Sequence, residues 1–434
     1  MDKAVVNVCW LRRDLRLFDN AALYHALQSE QPVLVLFIFD RNILEKLSDK
    51  KDKRVSFIHK QLEKLNEQLQ KKGSSLIVKH EVPKRAFLEL LEEYRVQGVF
   101  TNRDYEPYAI SRDEEIGNFL ADKNIDFLTF KDQVIFEKQE ILKSDGTPYT
   151  VFTPYSNRWK ERLAKQSIPV YASEDLLDNL FKMPKREVPS LEEIGFEPSG
   201  FEVPTADLSE GLIKKYHETR NLPGVNGTSY AGVHLRFGTL SVRQLVAQAR
   251  QQNEVWLNEL IWREFFMMIL YHFPEVVDHN FKRKYDRLQW RNNEREFERW
   301  CRGETGFPLV DAGMRQLNET GWMHNRVRML VAGFLTKHLL IDWRWGEAYF
   351  AEKLLDYELA SNNGNWQWAA GTGCDSAPYF RIFNPETQLK KFDPDLKYVK
   401  SWIKDFRPGY IEPLVDHKFA RARALEVYKK ALNT

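Results

Sequence analysis

Apolar and polar positions follow two rhythms over the first 130 residues. Val5–Trp10, Val33–Phe39, Leu76–Val78, Val99–Thr101 and Phe127–Phe130 are short runs that stay apolar on both faces, the pattern of buried strands. Between them, about Ala21–Gln28, Val55–Lys71, Arg85–Tyr94 and Arg112–Lys123 show helical spacing. Ile58, Leu62, Leu65 and Leu69, for instance, share one helix face. Strands alternating with helices predict a doubly wound parallel sheet, a Rossmann-like α/β domain over residues 1–130. Residues 131–205 lose any sustained period and collect Pro148, Pro154, Pro169, Pro184, Pro189, Pro198 and Pro204, which predicts an interdomain connector. From 206 to 434 the spacing is helical, with apolar-periodic runs at Glu259–Leu270, Val310–Leu317, Asn325–Leu340 and Glu347–Ala360. The fold class is therefore α/β followed by all-α.

Composition narrows the choice. The chain has 434 residues, 43% hydrophobic and 29% charged, the balance of a folded globular protein of two or three domains. No run is apolar enough to span a bilayer, so no membrane role is expected. The start, Met1-Asp2-Lys3-Ala4-Val5, has no secretory pattern, and three cysteines (Cys9, Cys301, Cys374) make no disulfide framework or zinc spacing. The expectation is a cytoplasmic monomer without a metal. With 64 basic against 62 acidic residues, any nucleic-acid surface must be a local patch. Ten of the 12 tryptophans lie after residue 250, an asymmetry that calls for a function.

Several segments carry candidate chemistry. The first strand is followed by Trp10-Leu11-Arg12-Arg13-Asp14-Leu15-Arg16 and not by the Gly-x-Gly-x-x-Gly of dinucleotide-binding domains. Gly227-Thr228-Ser229-Tyr230-Ala231-Gly232 is a turn rich in hydroxyls and backbone N–H groups, able to cradle phosphate but lacking the lysine of a P-loop. In Met323-His324-Asn325-Arg326-Val327-Arg328, His324 reads as a structural histidine, whereas Asn325 and Arg326 open an apolar helix toward a pocket or an anion. Within Asp356–Trp368, Asn362, Asn363 and Gly364 read by themselves as a helix C-cap, but the Trp366-Gln367-Trp368 that follows exceeds capping.

Together these runs resemble the photolyase/cryptochrome flavoprotein family. Trp10–Asn20 resembles its N-terminal signature, Trp256–Phe265 its substrate-cavity helix, and Thr305–Arg315 and Asn362–Trp368 two further motifs, in the family's order from about Val5 to Val415. The chain is most similar to class I cyclobutane pyrimidine dimer photolyases, because Asn325 follows His324 where six-four photolyases carry a His pair and plant cryptochromes usually an Asp. The four-cysteine iron–sulfur variant does not match three cysteines, and no long sensory tail follows Trp402.

The resemblance implies a light-dependent repair enzyme that splits dimers in UV-damaged DNA by electron donation from excited reduced FAD, with no nucleophile or metal. The alternatives are a blue-light-sensing cryptochrome and a flavin-free nucleic-acid-binding scaffold. By the same resemblance, Thr228, Ser229, Tyr230, Ala231 and Gly232 hold the FAD pyrophosphate. Tyr216 and Trp256 line its cleft, Arg328 pairs with Asp356 beside the ring, and Tyr357, Glu358 and Asn362 border it, with Asn362 facing N5. Relatives often carry Asp at the Glu358 position. Protonated Glu259 and Asn325 hydrogen-bond the flipped dimer, while Trp262, Met329 and Trp368 pack against it. Arg220, Arg263, Arg326 and Arg381 serve the DNA or substrate. Trp366, Trp343 and Trp300 form an electron-transfer chain from surface to flavin. A second, antenna chromophore (deazaflavin, folate or flavin) is expected near Phe37–Leu44 and Asn102–Tyr108; Tyr108-Ala109 replaces the Asn-Glu pair by which some relatives bind folate.

Overall fold

Five strands, β1 (Val5–Leu11), β2 (Val33–Asp40), β3 (Leu76–Glu81), β4 (Arg95–Asn102) and β5 (Asp126–Phe130), form one parallel sheet in the order β3-β2-β1-β4-β5. The order reverses direction at β1, and Cys9 sits in register with Val35 on one side and Phe100 on the other. Every strand expected from the apolar runs is present; β1, β2 and β5 are one residue longer than the run, and β3 and β4 extend several residues beyond it. The computed structural model describes residues 3–404 and 406–433. Met1 and Asp2, which open the segment read as lacking a secretory pattern, lie outside the described residues.

The sheet's helices are α1 (Ala21–Leu27), α2 (Lys53–Lys71), α3 (Pro83–Glu93) and α4 (Pro107–Ala121). Alternate strand residues Val6, Val8, Trp10, Leu34, Leu36 and Ile38 bury against Ala86, Phe87 and Leu90 of α3 and Ile116 and Leu120 of α4. Strands covered on both faces are apolar throughout for this reason. The Trp10–Asn20 signature becomes scaffolding. Asn20 caps α1 by accepting from Leu23 N at 3.1 Å, and Asp14 accepts from Asn102 Nδ2 at 2.6 Å. Arg16 reaches Asp132 at 2.6 Å, Arg243 reaches Asp132 at 2.8 Å and Asp19 at 3.0 Å, and Ser241 donates to Asp19. At the carboxyl edge Tyr108 donates to Asp40 at 2.5 Å, joining the two segments expected beside an antenna cleft.

Contacts divide the chain into two units whose sequences interleave. The first comprises 1–137, 162–206 and 230–248; the second comprises 138–161, 207–229 and 249–434. The stretch 131–205, expected as a connector, is thus shared between the units, and 230–248 joins the sheet unit through Gly238, Ser241 and Arg243.

The second unit is helical. It contains most of α5 (Phe152–Ala164), then α6 (Glu210–Thr219), α7 (Glu254–His272), α8 (Pro308–Thr320), α9 (Asn325–Gly333), α10 (Trp343–Lys353) and α11 (Leu359–Ala370). Its largest core joins Leu309, Met314, Val327, Val331, Leu335, Trp343, Phe350 and Trp366. Two expected helices are corrected. The run Asn325–Leu340 passes from α-helix into a π-turn over Phe334–His338, where Lys337 Nζ donates to Arg381 O at 3.0 Å. The run Glu347–Ala360 breaks between α10 and α11, because Leu355 N donates to Gly321 O at 2.8 Å and Asp356 turns to Arg328. The C-cap reading of Asn362-Asn363-Gly364 is also corrected. They lie inside α11, whose cap is Gly371 at φ +87°. Gly364 is required there because the Phe266 ring stands 2.2 Å from where a Cβ would be. No helix among the described residues is long and apolar enough to cross a membrane.

Candidate active site: a two-chambered cleft in the helical unit

The break between α10 and α11 opens the site. Freed from a helix, Asp356 receives two hydrogen bonds from Arg328 Nη2, at 2.9 and 3.2 Å, and Arg328 Nε donates to Met323 O at 2.8 Å. An ion pair that shares hydrogen bonds with backbone has fixed geometry. Arg328, Asp356, Tyr357, Glu358 and Asn362 line an inner chamber of about 90 Å³, together with apolar Ala332, Phe350, Leu354, Trp366 and Ala369. An outer chamber of about 290 Å³ is lined by Arg220, Glu259, Trp262, Arg263 and Phe266. Asn325, Met329, Ser361, Asn365 and Trp368 line both, so the two form one cleft.

The amide of Asn362 has a determined orientation. Its Nδ2 donates to Glu347 O at 3.1 Å and Glu347 Oε1 at 2.8 Å, and a backbone carbonyl only accepts. Oδ1 is thereby the atom left for the chamber. Burial raises the Glu347 carboxyl above its ordinary value, with the Asn362 bond opposing.

Glu259 lies in the outer chamber 2.5 Å from Arg220 Nη1, and the Arg220 guanidinium lies over the Tyr216 ring. Burial pushes the Glu259 carboxyl up, while Arg220 pulls it down by less. Arg220 and Arg263, expected at DNA or substrate, are both engaged inside the cleft. Arg263 pairs with Glu358 at 3.2 Å, and Glu358 also accepts from Ser361 Oγ at 3.1 Å. Arg326 stacks over Phe392 at 4.5 Å and donates to Asn221 Oδ1 at 2.6 Å. Arg381 is exposed and outside the cleft lining. His324 is the N-cap of α9, its Nδ1 accepting from Arg326 N at 3.1 Å, and burial beside three arginines lowers its pKa to about 4. It is a structural histidine, neutral at pH 7.

Other candidates lie elsewhere. Trp256 is buried in α7, and neither it nor Tyr216, Thr228 or Ser229 lines the two chambers. Tyr230, at φ +53°, precedes the short helix Ala231–Arg236 and belongs, with Ala231 and Gly232, to the sheet unit. Trp366 lines the inner chamber, and Trp343 is buried with its Nε1 donating to Asn280 at 2.9 Å. Trp300 contacts Trp366 at 6.1 Å but is 0% exposed and donates to Val331 O, so it cannot be the surface end of a chain. Half-buried Trp290 packs against the same core as Trp343. The residues unassigned from sequence, Ser361, Asn365 and Ala369, recur with Glu358, Asn362 and Trp366 at helical spacing, a signal that was present in the chain. Phe266 and Glu347 carried no such signal.

The chain is similar to known proteins over nearly its whole length. Residues 7–173 match the family described as DNA photolyase, and residues 256–408 the FAD binding domain of DNA photolyase. The chain is 34% identical to a deoxyribodipyrimidine photo-lyase of Synechococcus, over 97% of this chain and 96% of that one. A class III photolyase structure from Agrobacterium tumefaciens superposes with TM-score 0.87 at 32% identity, covering 100% of this chain and 99% of that one. An archaeal photolyase from Sulfolobus tokodaii with two FAD molecules gives TM-score 0.80 at 33% identity, covering 98% and 99%.

Proposed function

The chain belongs to the DNA photolyase family, and on that premise we propose that it is a light-dependent repair enzyme for cyclobutane pyrimidine dimers in UV-damaged DNA. The observation that carries this reading is the cleft itself, whose outer chamber has an indole on each of two helices and leads directly to an inner chamber of mixed polar and apolar lining.

The lining of the inner chamber suits the chemistry of a flavin ring. Phe350, Leu354 and Ala369 offer an apolar surface to a flat ring, and Arg328, Asp356, Asn362 Oδ1 and Glu358 offer groups of both signs to its edges. These residues would hold FAD, with Tyr216, Trp256, Thr228 and Ser229 of the same unit as candidates for its remaining parts. Bound and reduced, FAD supplies the light-driven electron that dimer cleavage requires.

The protein's own residues do the rest. Trp262 and Trp368 stack the splayed bases, the stabilisation that single-stranded and flipped bases draw from aromatic side chains. Asn325 Nδ2 donates to a base carbonyl. Glu259, protonated, donates likewise; ionised, it accepts from Arg220. Burial favours the protonated form and Arg220 opposes it by less. Donors pre-placed where negative charge develops lower the cost of a transient anion. Arg326 and Arg381 contact phosphates, and Trp366, Trp343 and Trp290 relay electrons inward from solvent. A second chromophore in the sheet unit belongs to the same reading.

The deciding experiment is blue-light repair of a dimer-containing oligonucleotide by purified, reduced protein, followed by recovery of pyrimidine absorbance. Bound flavin without repair would overturn the enzyme reading in favour of a light sensor.

A further inference from the structure

The ring of Phe152 lies flat on one face of Trp262, with centroids 3.6 Å apart and planes 4° from parallel. Phe265 stands edge-on to both, at 5.9 Å from Phe152 and 5.6 Å from Trp262. Two stacked rings abutted by the edge of a third form a slab in which the indole cannot tilt without losing a contact. Phe152 is buried, whereas Trp262 is half-buried and lines the outer chamber.

Phe152 is held there from two directions. Its helix α5 is fastened along α7: Lys160 pairs with Glu254 at 2.7 Å, Ser156 donates to Asn258 at 3.3 Å, and Trp159 Nε1 donates to the buried Glu264 at 2.5 Å. At its start, Phe152 N donates to Asp375 Oδ2 at 3.0 Å. The first N–H groups of a helix lack partners within it, so a carboxylate there is both a hydrogen-bond acceptor and a favourable charge. Asp375 lies on the loop that leaves α11 after Trp368, a loop pinned by Thr372 N and Gly373 N to Gln367 O. One carboxylate therefore connects the residue behind Trp262 to the segment carrying Trp368.

We propose that Phe152 and Asp375 are positioning residues that set the gap between the two indole walls, and with it the preference for dimer-containing over undamaged DNA. Phe152 fixes the plane of Trp262, and Asp375 fixes Phe152 relative to the Trp368 wall. Neither touches the substrate. The assignment rests on the reading of the outer chamber as the dimer site.

The test compares the full-length wild type with Phe152→Leu, Phe152→Tyr and Asp375→Ala. The readouts are affinity for matched dimer-containing and undamaged oligonucleotides, repair under light, flavin content and melting temperature. Phe152→Leu should lower the damaged-to-undamaged affinity ratio roughly tenfold, the scale of a lost aromatic pair. It should raise the KM of repair more than it lowers kcat, with flavin content and undamaged-DNA affinity unchanged. Phe152→Tyr restores a flat ring and should restore the ratio. Asp375→Ala should move the ratio the same way by less. If Phe152→Leu keeps the ratio of a wild type that repairs dimers, or if Tyr does no better than Leu, the assignment of Phe152 is overturned. If Asp375→Ala leaves the ratio unchanged, the coupling of the two walls is overturned. A wild type that neither prefers nor repairs dimers would overturn the reading of the chamber itself.

Discussion

The two units use arginine–carboxylate pairs to opposite ends. In the sheet unit, Arg16–Asp132 and Arg243–Asp19 have side-chain exposures of 3%/2% and 5%/4%, and Arg243 bridges both carboxylates. In the helical unit, Arg220–Glu259 and Arg328–Asp356 stand at 23%/31% and 24%/14%, lining the cleft. The residue types are the same, so type does not separate scaffold from site. Saturation does. A carboxylate whose oxygens are all taken, as those of Asp132 are by two guanidiniums and those of Asp19 by Arg243, Ser241 and Tyr171 N, is committed to the fold, and one that meets a single arginine beside a cavity keeps lone pairs for a ligand.

The comparison can be broken most severely in the sheet unit. Arg243→Leu should strip Asp19 and Asp132 of a shared partner and destabilise the protein by about 3 kcal/mol or more in a denaturant melt. Burial raises Asp132, but Arg16 and Arg243 outweigh it, so its pKa is depressed in the folded state. The stability it lends is then present above the unfolded carboxylate value of about 4 and is lost as pH falls through the lower folded pKa. Arg243→Leu should flatten the acid limb of the pH–stability curve.

In the cleft the same kind of cut should cost function before stability. Asp356→Ala should reduce flavin retention roughly tenfold or more, the scale of a charged hydrogen bond, with a much smaller change in the melt. Equal losses in both assays would place Asp356 with the scaffold.

A subtler contrast concerns the tryptophans. Trp343→Phe and Trp290→Phe should each slow photoreduction of oxidised flavin severalfold while leaving repair by chemically reduced enzyme unchanged. Trp300→Phe, fully enclosed, should do neither. A loss of photoreduction with Trp300→Phe and none with Trp290→Phe would restore Trp300 to the chain.

Smaller again is Glu259→Gln, which retains a donor and should lower repair modestly. Glu259→Ala leaves a base carbonyl unpaired at a cost of about 1–3 kcal/mol. Flavin content should hold in both. The smallest effect belongs to Arg381→Ala, which should weaken damaged and undamaged DNA alike and reduce the salt slope by about one. A loss confined to damaged DNA would move Arg381 into the recognition machinery.

Strand runs such as Val33–Phe39, the helix face through Leu62 and Leu69, and the family motifs were all legible in the chain, because the strand and helix repeats are local and need no partner. Asn325, Arg328, Asp356 and Trp368 were legible too, since the motifs carry them in fixed order. What the fold alone decided was which neighbour each group meets. The end of α10 follows from Leu355 bonding to Gly321, thirty-odd positions away in sequence. Arg220 turns inward because α6 brings it to Glu259 of α7. Gly364 sits mid-helix because Phe266 occupies the space beside it. Trp300 is closed off by Val331, Phe350 and Trp366, although the family resemblance placed it in the electron-transfer chain. Periodicity is a property of consecutive residues, and the sequence by itself determined it. Saturation, enclosure and the gap between Trp262 and Trp368 depend on residues distant in the chain, so only the tertiary structure decided them.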